Sequence, residues 1–311
     1  MSTKKDIQIC INPHFDAVSL WIGSWGGEDS PCDISRGVYG AKRGVPRLLE
    51  LFNRYNMKVT WGITGHSMES FPKAAEMICD AVNNKGHEIG IHGYCHENPL
   101  AMTREQEAAV LDRTISTIEK ISGKKPVGYM APWWELSKNT VELLLERGIK
   151  YDSSLMEDDF HPYYVRVGDS WTKINYNGSA EDWMKPWQAG EPADLVEIPC
   201  SWHLDDAPPL LFVKASANSH GWITGRQLGE IWQDQFDWVY RHHDDAVMPI
   251  TIHPDACGKP HGLMMLERLF DHMLSHEGVR FVTMEEAADD YRKRAPFGSN
   301  IELGGPSGLH V

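Results

Sequence analysis

The chain has 311 residues and carries 44 acidic against 30 basic side chains, a formal net charge of −14, so it should repel a phosphate backbone and nucleic acid is not an expected partner. No stretch approaches the roughly 20 uninterrupted apolar residues of a membrane-spanning helix. The start, Met1 to Asp6, lacks the apolar region of a secretory signal, so a cytoplasmic protein is expected.

The six cysteines (Cys10, Cys32, Cys79, Cys95, Cys200, Cys257) are scattered without a Cys-x-x-Cys and read as reduced thiols. In chain order, the apolar run 7–11 predicts a first strand, ending at Asn12-Pro13-His14-Phe15-Asp16. A long loop rich in Gly, Asp and Pro follows through Pro31. Apolar periodicity predicts helices over 45–55, 71–84, 103–121, 138–147, 226–241, 262–276 and 284–292. Between them lie strand-like runs at 58–63, 88–92, 126–130, 150–152, 196–200, 247–253 and 280–283. Only the polar, aromatic stretch 157–194 breaks this alternation. Strand–helix alternation of this kind predicts an α/β fold with a parallel sheet, open or closed into a barrel. No linker divides the chain, so a single domain over 1–295 and a loose tail over 296–311 are expected.

In such folds chemistry gathers at the C-terminal ends of the strands. The strand ends here carry His14 and Asp16, His92 and His96, Trp133, Trp134 and Glu135, Asp152, Trp202, Asp205 and Asp206, and His253 with Asp255. Two histidines four apart can share one metal ion, but a metal site needs a third ligand. His92-Gly93-Tyr94-Cys95-His96 has company from other strand ends. The second such pair, His272 and His276, lies in an amphipathic helical pattern with no strand delivering it, and reads as solvated surface. An Asp with two His makes an open site suited to Zn²⁺, with Fe, Co, Ni or Mn as other candidates. Such an ion lowers the pKa of bound water toward ~7 and polarises a carbonyl, which are the two needs of amide hydrolysis.

Together, Asp16, His92-x-x-x-His96, Pro132-Trp133 and His253-Pro254 in this order resemble the polysaccharide deacetylase superfamily, carbohydrate esterase family 4, over residues 7–292. Gly26-Gly27-Glu28-Asp29-Ser30-Pro31, Ala131-Pro132-Trp133-Trp134-Glu135, Val167-Gly168-Asp169-Ser170-Trp171 and Leu204-Asp205-Asp206 are similar to its peptidoglycan deacetylase-like and cyclic imidase-like branch. The resemblance implies a distorted (β/α) barrel of about seven parallel strands, with Asp16, His92 and His96 as metal ligands. It makes His253 the general acid, with Asp152 as its orienting partner, and implies a homo-oligomer, with a tetramer as the candidate state.

Two positions depart from the family pattern. His14 stands where an Asp base is usual, and Met130 where many members have an Arg that holds that Asp. A cation beside a proton-accepting imidazole would oppose its protonation, so the two changes are mutually compatible. With an unperturbed pKa near ~6.5, His14 is one candidate base. The other reading makes His14 an extra ligand or a spectator and Glu135 the base. Trp133, Trp134 and Trp202, with Pro132, are expected against a flat ring or sugar face, and Arg36 lies in a loop able to close over the site. Trp61, Trp232 and Trp238 sit at core-like spacings. Tyr163, Tyr164, Trp171, Trp183 and Trp187 belong to the pocket rim or to a subunit contact. The implied activity is N-deacetylation of an amino sugar. A cyclic imide or ureide hydrolase is the second reading, to which the lack of a secretion signal leans, and a catalytically silent metal-containing binding protein is the third.

Overall fold

The computed structural model describes residues 5–214 and 223–299. Strand β1 (Asp6–Phe15) is buried along almost its whole length, as a central strand covered on both faces must be. Its side chains alternate in direction. Ile7, Ile9, Ile11 and Phe15 enter the main core between sheet and helices, whereas Cys10 joins a second core with Met130, Tyr151, Val196 and Val247. That second core fills the barrel interior. It is closed below by the helix Met284–Arg294, through Met284, Ala287, Ala288 and Tyr291. Gln8 shares the Cys10 face and reaches the same helix by donating to Asp290 at 3.1 Å. Asn12 and His14 continue that face upward, so β1 carries a ladder from the plug to the site.

Eight further strands follow: β2 (Thr60–Ile63), β3 (Glu88–Ile91), β4 (Gly128–Tyr129), β5 (Tyr151–Asp152), β6 (Tyr163–Val167), β7 (Glu191–Glu197), β8 (Asp245–Ile252) and β9 (Val279–Phe281). The sheet order is β6-β7-β5-β4-β3-β2-β1-β8, with β9 also paired to β1. β1 meets β8 from Asp6 to Pro13, but meets β2 only at His14 and Phe15, because β9 occupies its edge at Ile7 to Ile9. The other edge of β8 takes a single parallel bridge, Thr251 to Asp205. The expected α/β barrel is thus present as a curled mixed sheet. Its one antiparallel strand, β6, comes from the stretch that broke the alternation.

Other departures have local causes. Residues 31–39, expected as loop, form the helix Pro31–Tyr39: Pro31 takes the first turn, where its missing N–H costs nothing, and the Ser30 hydroxyl accepts from the Asp33 N–H. Trp61 and Trp232 are core residues, but Trp238 is exposed and lies beside His242. The expected tail lies largely outside the described residues, although Phe297 still packs on Tyr164. No helix among the described residues is long and apolar enough to cross a membrane.

Candidate metal and catalytic site

The turn after β3 holds two imidazoles by different means. His92 follows Ile91 directly, and its Nδ1 lies 2.7 Å from the backbone oxygen of Met130. The chain then reverses at Gly93 (φ +67°), where a side chain would run into Pro132, and again at His96 (φ +60°). The Glu97 carboxylate ties the reversal by accepting the N–H groups of Tyr94 at 3.0 Å and Cys95 at 2.7 Å. Ser24, from the first loop, bonds His96 Nδ1 and also donates to the His96 backbone oxygen at 2.7 Å. With each Nδ1 occupied by an anchor, Nε2 is the free nitrogen of both rings, the usual arrangement of a metal-ligating histidine.

Asp16 follows β1 and completes the cluster. The ligand atoms of Asp16, His92 and His96 all lie within 4.8 Å of one another. Among the described residues, both Asp16 carboxylate oxygens and His92 Nε2 are buried without a hydrogen-bond partner. Leaving such groups unpaired in the interior is costly, and a divalent cation would satisfy all three atoms. Burial dominates their titration: it pushes Asp16 up to about 7 and His92 down to about 3, and holds His96 well below the usual imidazole range. The two imidazoles are therefore neutral, the form that binds a metal. These residues fit the expected ion.

His253, just after β8, is held differently. Its Nδ1 lies 2.7 Å from Asp206 Oδ1 and 3.6 Å from Asp205, and its Nε2 lies 3.6 Å from Asp16. Asp206 also accepts the backbone N–H groups of His253 and Cys257, so the pair is fixed at both ends. Burial opposes the cation, but Asp205, Asp206 and Asp16 outweigh it and carry His253 up to about 10. The orienting partner is thus Asp206, and the expectation for Asp152 is corrected. Asp152 accepts from the Ser154 hydroxyl at 2.6 Å and lies beside buried Glu197, and burial pushes it up to about 7.

His14 joins the site as expected, with its ring centroid 4.1 Å from that of His92 and 5.3 Å from that of His253. Its Nε2 is 2.8 Å from Asn12 Nδ2. Gly62 makes room for it, since a Cβ there would stand 2.7 Å from the His14 ring. Burial first, then His92, His253 and His96, holds its pKa well below the usual range, so it is a weaker base than a free histidine. Glu135 is exposed and does not line the cavity.

The cavity above these residues has a volume of about 840 Å³, open mouth included. Trp133, Trp134 and Trp202 line it as expected, with Trp134 and Trp202 packed at 4.5 Å between ring centroids. Pro132 and Arg36 do not line it. Arg36 acts one layer out: it stacks on Trp21 at 4.1 Å and donates to the Phe212 oxygen at 2.6 Å, bracing the segment that carries Leu211 and Val213 into the wall. Sequence reasoning missed Leu20, Trp25, Leu211 and Val213 in the lining, and the anchors Asn12 and Ser24. Nothing in their spacing marks them, because tertiary contacts alone bring them to the site.

Residues 36–151 match the family model described as polysaccharide deacetylase. The chain is 54% identical over 292 residues to a peptidoglycan deacetylase of Helicobacter pylori, covering 94% of this chain and 98% of that protein. A peptidoglycan deacetylase-like protein of Gibberella zeae is 36% identical, with coverage of 93% and 87%. Among solved structures, a candidate polysaccharide deacetylase from Mycobacterium smegmatis superposes with a TM-score of 0.79 at 27% identity, covering 97% of this chain and 96% of that one. An allantoinase structure (TM-score 0.73, 21% identity, coverage 96% and 94%) shares the fold.

Proposed function

Because the chain belongs to the polysaccharide deacetylase family, we propose that it is a metal-dependent amide hydrolase that removes the N-acetyl group from an acetylated amino sugar. One observation carries the reading: Asp16, His92 and His96 present orphaned or outward-anchored ligand atoms at the floor of an aromatic-walled cavity, beside a cationic His253. A divalent transition metal, with Zn²⁺ first, would supply Lewis acidity toward the amide carbonyl and activate water.

The chain's own groups do the rest. His253 donates the proton that the departing nitrogen needs, from Nε2, while Asp206 holds Nδ1. His14 takes the proton released by the nucleophile. Its Nε2–Cδ2 edge is turned to Asn12 and Gly62, so Nδ1 is the nitrogen left for proton transfer. Rotation of the Asn12 amide would present Oδ1 to Nε2–H and free the Nδ1 lone pair. Two groups with pKa values driven apart in one site are what acid and base roles require. Trp133, Trp134 and Trp202 provide the flat faces on which a sugar ring stacks.

A second reading, hydrolysis of a small cyclic imide or ureide, is favoured by the apolar wall of Leu20, Trp25, Leu211 and Val213. Assays of the purified protein on acetylated chitooligomers, succinimide and hydantoin, before and after chelation and metal return, separate the two. Release of acetate that chelation abolishes is expected; imide opening alone would replace the first reading with the second. His14→Ala should lower kcat by about 10²–10⁴-fold, while Glu135→Ala leaves it unchanged; an undiminished His14→Ala rate removes His14 as base. We also propose a homo-oligomer that covers the exposed Trp171, Tyr176 and Trp187, which light scattering would test.

A further inference from the structure

The helices Gly225–His242 and Pro260–Leu274 pack side by side and carry no member of the catalytic cluster. Asp271 and Glu277 adjoin His272 and His276 in sequence. The carboxylate that meets the His272 ring comes instead from the other helix: Asp237 Oδ1 lies 2.6 Å from His272 Nε2. One ligand atom from each of Asp237, His272 and His276 lies within 4.8 Å of the others. We propose that these residues form a second, peripheral site for a divalent transition-metal ion of the zinc, cobalt or nickel class, clamping the two helices together.

Three features support it. His276 Nδ1 lies 2.9 Å from the His272 backbone oxygen, which fixes the ring proton on Nδ1 and leaves Nε2 as a lone-pair donor. The rings of Tyr240 and Phe236, at 4.6 Å and 5.1 Å from the His276 ring, hold it in place, and Phe236 also touches His272. The donor set of two imidazoles and one carboxylate suits such ions and leaves an open position toward solvent. In a tetrahedral site ligand atoms stand roughly 3.4 Å apart, from metal–ligand distances near 2.1 Å. Asp237 and His272 must therefore open slightly and His276 approach. All three are partly exposed, so their side chains have room to do so. An ion that enters between Asp237 and His272 replaces their hydrogen bond and takes the Nε2 lone pair, with the ring proton carried on Nδ1.

The test uses the full, untagged chain, stripped with a chelator and then equilibrated with Zn²⁺ and assayed for bound metal. His276→Gln and Asp237→Asn should each hold one equivalent fewer than the wild type, with unchanged hydrolytic activity and an unchanged metal-free Tm. His92→Ala, which loses the catalytic site, should still bind Zn²⁺ and gain roughly 2–4 °C in Tm at ten times its Kd. That gain should vanish in the His92→Ala/His276→Gln double variant. Equal metal content in wild type, His276→Gln and Asp237→Asn would overturn the proposal whatever the state of the catalytic site.

Discussion

An imidazole buried among carboxylates keeps its proton because each carboxylate gains more from the cation than burial takes away. His253 is in this position, facing Asp205, Asp206 and Asp16, and it stays protonated up to about 10. A general acid works only while protonated, so its loss appears as an alkaline fall in kcat. Removing the Asp206 charge lowers the His253 pKa, and the alkaline limb of the kcat profile in Asp206→Asn should move to lower pH, with kcat down about 10²-fold. Asp152→Asn should leave that limb in place, because Asp152 pairs with Ser154 and Glu197 instead. A shift in Asp152→Asn equal to that in Asp206→Asn would reverse the assignment. His14 shows the opposite balance: burial first, then the imidazoles of His92, His253 and His96, hold its pKa well below the usual range although Asp16 lies within 4.8 Å.

The segment 92–97 is a single mechanical unit built on one strand end. Gly93 and the Glu97 carboxylate close the reversal, and Ser24 fastens it to the first loop. That loop can approach only because residue 23 is glycine: a Cβ there would stand 1.8 Å from the Cys95 oxygen. Gly23→Ala should force the loop and the turn apart. We expect overpacking of about 1–3 kcal/mol, a Tm loss of roughly 2–5 °C, and weaker metal binding through displaced Ser24 and His96. A Gly23→Ala protein with unchanged Tm and metal affinity would show that the two segments are not coupled. His92 and His96 were legible as a ligand pair because strand, turn and spacing are local. Ser24 was not, since its bond to His96 joins residues 72 positions apart.

At the scale of the whole molecule, the curled sheet gathers residues from β1, β3, β8 and the Trp202–Leu204 turn onto one end, while the helix Met284–Arg294 plugs the other. A metal held by Asp16, His92 and His96 would therefore tie the end of β1 to the turn after β3. Metal bound at about 100 times its Kd adds roughly 2.7 kcal/mol to the folded state. Chelation should accordingly lower Tm by roughly 4 °C, and return of Zn²⁺ should restore it; an unchanged Tm would argue against metal at this site. The bridge from Thr251 to Asp205 matters to the same end, because it seats the Asp205–Asp206 pair beside His253 where the sheet has no further strand.

Strand–helix alternation by itself determined an α/β fold with a parallel sheet, and the strand-end rule grouped Asp16, His92, His96, His253 and the tryptophans; barrel closure and the roles of these residues came with the family resemblance. The alternation depends on short-range periodicity, and the grouping on the rule that parallel strands present their C-terminal ends together. Tertiary structure alone decided the partners: Asp206 and not Asp152 for His253, Asn12 for His14, Ser24 for His96, and Asp237 for the pair at His272 and His276. A hydrogen bond between side chains reaches about 3 Å in space and has no preferred separation along the chain. The sequence names the groups that can pair, and only the packing of strands and helices settles which ones meet.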